Sequence, residues 1–379
     1  MMENLRKNRR CHVMFWLLLL TVIILLILFY AYQNMHYDRK ITQLIKKANM
    51  SEKQVVLPDG SVLNYGENPS KKTPLLLLHG QIVSWEDYAK VLPLLTKEYH
   101  IYAVDYYGHG GSSKDPDKYS AHAIGKDLIW FIENVIKEPV IVSGHSSGGL
   151  LTAWLAANSP DNIRGIVIED APFFSTEANR AEHTYAGKGF KNSYNFLQKE
   201  TENNYTKYSL EHDYMQTFFN KNGKDNWAKI VKNPALSYMK KHPGQVPRIW
   251  YYPSILGVNR IYDLTANLQD GTGEYDLRFG ASFYDYSWFD NFDQTETLVN
   301  ITVPTILLHV APSNETAPSY YDSHGTLLSA MDEKDAARVI DLVEGAELIE
   351  GFQSAHDIHQ DQPKQFAKIL IDFKEKIKS

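Results

Sequence analysis

Hydrophobic positions fall into three regimes along the chain of 379 residues. The first is one unbroken apolar run, residues 13–32. From about residue 54 the pattern changes. Short continuous apolar runs alternate with segments in which apolar residues recur every three or four positions. The runs predict strands at 75–78, 101–104, 140–143, 166–168, 305–309 and 347–349. The segments between them predict helices at about 85–95, 121–136, 149–157, 333–342 and 363–377. Ahead of these, Pro58-Asp59-Gly60 separates two β-rich runs, a hairpin signal. Continuous apolar strands alternating with amphipathic helices predict an α/β fold, a mostly parallel sheet covered by helices on both faces.

The third regime is residues 174–300, where the alternation stops. This stretch is polar and aromatic and holds many of the 24 tyrosines. It is too long for a structureless loop inside a compact domain. Because strand–helix alternation resumes after it, it reads as an inserted, mainly helical cap. The expected organisation is therefore a tail and anchor at 1–36, a juxtamembrane stalk at 37–53, a core at 54–173, the cap at 174–300 and the rest of the core at 301–379. Within the stalk, Ile41, Leu44 and Ile45 have helical spacing.

The run at 13–32 has no charged residue and is preceded by Arg6, Lys7, Arg9 and Arg10. About 20 apolar residues suffice to cross a bilayer as one helix. Phe15, Trp16, Phe29, Tyr30 and Tyr32 sit near its ends, where an aromatic belt belongs. A cleaved signal would have a shorter apolar region followed by a small-x-small site, and none stands out after Ala31. The stretch reads as an uncleaved single-pass membrane anchor. The basic residues before it favour a cytoplasmic N-terminus and an extracytoplasmic bulk, a bias diluted by Arg39, Lys40, Lys46 and Lys47 beyond it.

Composition removes several classes. The net charge of -6 carries no long basic run outside the N-terminus, so nucleic acid is not an expected partner. The one cysteine, Cys11, rules out an internal disulfide and a cysteine-rich metal site, though its juxtamembrane place would permit acylation. There is no H-E-x-x-H zinc motif and no G-x-x-x-x-G-K phosphate loop, so neither metal nor organic cofactor is expected.

The chemistry-bearing motif is Gly144-His145-Ser146-Ser147-Gly148, between a predicted strand and a predicted helix. A serine hydroxyl is a weak nucleophile until a base takes its proton. A sharp strand-to-helix turn lifts it clear of the backbone, and small residues two before and two after permit the turn. With this motif in its strand–turn–helix setting, the chain resembles the α/β-hydrolase superfamily from about Gln54 to the end, the cap apart. Leu75–Gln81, "LLLLHGQ", looks like the family's oxyanion strand and turn, and Tyr102–Ser113, "YAVDYYGHGGSS", like its aspartate-rich turn. The resemblance implies an oxyanion hole made by the amides of Gln81 and Ser147. It makes His79 structural and Asp105 a turn residue.

The resemblance also implies a histidine base in a late loop. His356, in "SAHDIHQDQPKQF", fits it, while His359 reads as a surface or supporting residue. The acid departs from the family pattern, because "HVAPSNETAPSYYDSHG" has no aspartate at the usual offset after His309. Asp170, at the end of the preceding predicted strand, is the first candidate, with Glu315 and Asp322 as alternatives. An acid is needed to hold the imidazole tautomer and stabilise its cation. The expected reaction is hydrolysis of a small acyl substrate, a carboxylic ester, through an acyl-enzyme. The anchor suggests a lipid-derived acyl group. Carbon–carbon, lactone, thioester or amide cleavage, or ligand binding without turnover, remain alternatives.

Overall fold

Eight strands hydrogen-bond into one sheet in the computed structural model, which describes residues 2–199, 202–267, 273–312 and 319–378, with side chains from residue 12 onward. They are β1 (Ser51–Val56), β2 (Val62–Glu67), β3 (Thr73–Leu78), β4 (Tyr99–Asp105), β5 (Val140–His145), β6 (Ile163–Glu169), β7 (Thr305–Val310) and β8 (Glu347–Phe352). Their order in the sheet is β1-β2-β4-β3-β5-β6-β7-β8. The hairpin β1–β2 and the pair β2–β4 are antiparallel, and every later pairing is parallel.

Alternate residues of the central strands supply the two cores. Leu76, Leu78, Val142 and Ile168 face one side, packed with residues of helices Ala121–Phe131 and Ser147–Asn158. Leu75, Leu77, Ile141 and Val167 face the other, with Trp85, Tyr88, Phe366 and Phe373. Both faces are covered, so these strands need no polar positions and read as continuous apolar runs. Each fully buried Leu, Ile or Val contributes about 1.5–3 kcal/mol relative to exposure.

Two expected helices differ in detail. The segment at 85–95 is a 3-10 helix, Trp85–Lys90, followed by the short helix Leu92–Leu95. Pro93 lacks a backbone donor and opens the second piece rather than continuing the first. The segment at 121–136 is α-helical to Phe131 and then widens into a π turn, Ile132–Ile136, closed by Lys137 at φ 65.

The chain forms two compact units, Met1–Lys40 with Phe219–Thr265, and Ile41–Phe218 with Ala266–Ser379. The first contains His12–Met35, the one described helix long and apolar enough to cross a membrane, with mean hydropathy 3.0. In the second, residues 174–218 and 273–300 contribute helices to the sheet's own unit. Helix Tyr185–Leu197 packs on Leu277–Tyr284. The latter docks on the loop after β4, where Asp276 N donates to Gly108 O at 2.8 Å and Phe279 packs against Tyr106 and His109.

Candidate active site

Strand β5 runs wholly buried to His145, and the chain reverses at Ser146 into helix Ser147–Asn158. Ser146 has φ 54 and ψ -124, a conformation that non-glycine residues rarely adopt. Two glycines permit it. A Cβ at Gly144 would collide with Gly148 O and Thr152 Oγ1, and one at Gly148 with the carbonyls of Leu78 and His79. The helix therefore sits directly against the ends of β3 and β5. Ser146 N donates to Glu169 O at 2.9 Å, tying the turn to the end of β6.

The next residue on β6's exit is Asp170, also at positive φ (39), with its amide bonded to Leu308 O at 2.9 Å. Its carboxylate is fully buried and meets two histidines. Oδ2 lies 2.7 Å from His356 Nδ1, and Oδ1 lies 3.2 Å from His309 Nδ1. His309 is in β7, and His356 follows β8. The parallel order β5-β6-β7-β8 thus gathers Ser146, Asp170, His309 and His356 at the carboxyl edge of adjacent strands. The ring of His356 lies 4.4 Å from that of His145, the residue before Ser146. Ser146 Oγ itself makes no hydrogen bond to a described residue. Nucleophile–base bonds are often long until substrate binds.

Burial opposes ionisation of Asp170, but the His309 and His356 contacts outweigh it and hold the carboxyl at about 2. For His356, burial disfavours the cation, yet the hydrogen bond and charge of Asp170 prevail and raise it to about 9. With Nδ1 facing Asp170, Nε2 is the nitrogen left to exchange a proton with a hydroxyl. Around the turn, Ser147 supplies the first amide of its helix, and the Gly80-Gln81 turn lies against Ser146. The Gln81 side chain is fixed by Tyr275, whose hydroxyl donates to Oε1 at 2.8 Å. Tyr106 OH contacts Ser147 Oγ at 2.8 Å and stacks on the His79 ring. His79 and Asp105 are fully buried behind the turn, Asp105 accepting from the Trp85 and Gly111 amides and from Asn64.

The structure corrects the expectation for Asp322. Its Oδ2 accepts from Tyr214 OH at 2.6 Å and its Oδ1 from the amides of His324 and Thr326. That carboxylate organises a turn and meets no histidine of the Ser146 cluster. Glu315 lies outside the described residues. His359 is not at the surface. The short helix Ile358–Asp361 turns it inward, fully buried, with Nδ1 on Glu169 at 2.9 Å and Nε2 on Asp87 at 3.1 Å. Burial opposes its charge, but the two carboxylates raise its pKa well above the ordinary imidazole value. Asp87, His145 and His359 present ligand-type atoms within 4.8 Å of one another. Both nitrogens of His359 are already committed to carboxylates, which makes the group an ion-pair network.

Sequence reasoning missed His309, Tyr275 and the Asp87–His359–Glu169 network. His309 did carry a signal, as the one polar interruption in the buried strand "TILLHV". Tyr275 lies 194 residues from Gln81 and carries no local signature.

Residues 73–244 match the family model of the alpha/beta hydrolase fold. Together with the sheet order and the Ser146 turn, this identifies the α/β-hydrolase fold. Among curated proteins it is 28% identical to bifunctional epoxide hydrolase 2 of Sus scrofa over 133 residues, 34% of this chain and 24% of that protein. It is 28% identical to a serine hydrolase-like protein of Danio rerio over 142 residues, 37% of this chain and 44% of that protein. The matched region thus spans less than half the length of those relatives. Among solved structures, a membrane phospholipase A described as a bacterial virulence factor superposes with a TM-score of 0.56 at 17% identity, covering 98% of this chain and 99% of that one.

Proposed function

We propose that the chain is a membrane-anchored serine hydrolase that cleaves carboxylic esters through an acyl-enzyme. The observation that carries this reading is the 2.7 Å contact between His356 Nδ1 and the buried Asp170 carboxylate, beside the strained Ser146 turn. Ser146 Oγ attacks the acyl carbonyl while His356 Nε2 takes its proton. The carbonyl oxygen becomes an oxyanion held by the amides of Gln81 and Ser147. Collapse breaks the ester C–O bond, and the proton on His356 passes to the departing alkoxide. Water then attacks the acyl-serine, giving its proton to His356, and the second collapse frees the acid and returns the proton to Ser146. Asp170 holds the imidazole in the required tautomer throughout. No step calls for a metal or cofactor.

Serine at position 146 argues against the aspartate-nucleophile chemistry of an epoxide hydrolase, despite that likeness. The cap helices within 174–218 and 273–300, rich in aromatic residues and packed in the sheet's own unit, are the part that selects the acyl group. Helix His12–Met35 anchors the protein, and the basic residues ahead of it favour an extracytoplasmic catalytic domain. A lipid-derived ester suits such an enzyme by proximity. Detergent-solubilised protein should release p-nitrophenol from a panel of acyl esters, and Ser146→Ala should abolish release. Undiminished turnover by Ser146→Ala overturns the reading.

A further inference from the structure

Outside helix His12–Met35, ten large hydrophobic residues are exposed among the described residues, and five of them lie between positions 246 and 256. They are Val246, Trp250, Tyr251, Ile255 and Leu256, with Ile255 at 91% exposure. Scattered single apolar residues are ordinary on a protein surface, whereas a cluster calls for a partner.

The backbone of this stretch is fastened to one place, the last turns of the apolar helix. Tyr30 OH donates to Tyr251 O at 3.2 Å, and Asn34 Nδ2 donates to Trp250 O at 2.8 Å. Arg248 donates to Met35 O at 3.0 Å and pairs with Asp38 at 3.1 Å. Tyr37 OH donates to Asp263. All these groups belong to one compact unit. A hydrocarbon core of about 30 Å takes up roughly 20 helical residues. A helix that enters the bilayer near Val13 therefore leaves it near Tyr32. The carbonyls of Trp250 and Tyr251 are pinned at that level, while their side chains remain 47% and 46% exposed.

Charge points to the same partner. The chain as a whole carries -6, yet between Phe219 and Thr265 there are eight Lys and Arg against two Asp. Lys229, Lys240 and Lys241 of this segment are exposed. Tryptophan and tyrosine beside aliphatic side chains, in a segment rich in exposed lysines, is the composition of a surface that lies in a headgroup layer containing anionic lipid.

We propose that residues 246–256 form a second membrane contact, with Trp250 and Tyr251 among the headgroups, Ile255 and Leu256 entering the acyl boundary, and exposed lysines of the same segment on anionic phosphates. This rests on the anchor reading above. Its consequence is that the 219–265 segment is held on the bilayer surface by two elements rather than one.

Cys11 is the only native cysteine, so full-length protein carrying Cys11→Ser accepts single reporter cysteines. An environment-sensitive fluorophore is placed in turn at Leu25→Cys, Ile255→Cys and Lys71→Cys. Each protein is reconstituted in phosphatidylcholine vesicles with and without phosphatidylglycerol, and quenching by doxyl-labelled lipid is read. Ile255 and Lys71 are exposed, so these substitutions leave the cores intact. The proposal expects quenching at positions 25 and 255 but not 71, stronger at 255 when phosphatidylglycerol is present. Quenching at 25 with none at 255 overturns the second contact and leaves the anchor standing. No quenching at either overturns the anchor and this proposal with it. A blue-shifted but unquenched label at 255 means that protein, such as a second copy of the chain, covers the patch, and also overturns it. Equal quenching at 255 in both lipid mixtures overturns the role of anionic lipid.

Discussion

His356 and Asp170 are 186 positions apart in the chain and 2.7 Å apart in space. The contact depends on the exits of β6 and β8 meeting at one edge of the sheet, and it assigns each residue a separable effect. Asp170→Asn keeps the shape but offers the imidazole an amide in place of a carboxylate. Ester turnover should fall by between about 10² and 10⁴. Asp322→Asn, which loses only turn contacts, should stay within about twofold of wild type.

The pH dependence follows from the same pair. In the proposed mechanism the base must be neutral to accept the Ser146 proton. Burial works against the His356 cation, but Asp170 more than compensates and holds it to about 9. The rate kcat/KM should therefore rise with pH, with a midpoint above the ordinary imidazole value of about 6.5. In Asp170→Asn the residual activity should have its midpoint moved downward. A wild-type midpoint below 6.5 would contradict this.

The proposed mechanism makes His309 a positioning residue, because it holds the far oxygen of Asp170. His309→Leu should lower kcat about tenfold, the scale of one hydrogen bond to a charged group, with little change in KM. His309→Asn, whose amide can reach the same oxygen, should recover most of the loss. Equal losses in both variants, with matching unfolding temperatures, would remove the positioning role.

The Asp87–His359–Glu169 network is a stability element. His359→Gln leaves two buried carboxylates without their cation and should cost about 3–5 kcal/mol in folding. The folded pKa of His359 is raised, so its contribution is complete below the unfolded value near 6.5 and fades as pH rises through the folded value. The gap between wild type and His359→Gln in thermal unfolding should narrow at strongly alkaline pH.

Much of this was legible in the chain. Leu75–Leu78 and Val140–Val142 read as strands because both faces are buried and no polar position interrupts them. Gly144 and Gly148 marked the turn because close backbone approach excludes any side chain. The acid was harder. Asp170 follows one predicted strand while Glu315 and Asp322 both follow the next, and lateral strand order is a long-range property that local pattern does not encode. Of the two readings of His359, surface or supporting residue, the chain could not choose, since one helical turn beyond His356 can face inward or outward. The segment 219–265 looked like the rest of the cap, because its ties to Tyr30, Asn34 and Met35 join positions more than two hundred residues apart.

The central claim is that Ser146 is the nucleophile. Full-length protein treated with a fluorophosphonate, digested and mapped by mass spectrometry tests it most directly. The account predicts one phosphonyl adduct, on the peptide containing Ser146, lost in Ser146→Ala and strongly slowed in His356→Ala. An adduct on another residue, or labelling that survives Ser146→Ala, would contradict it.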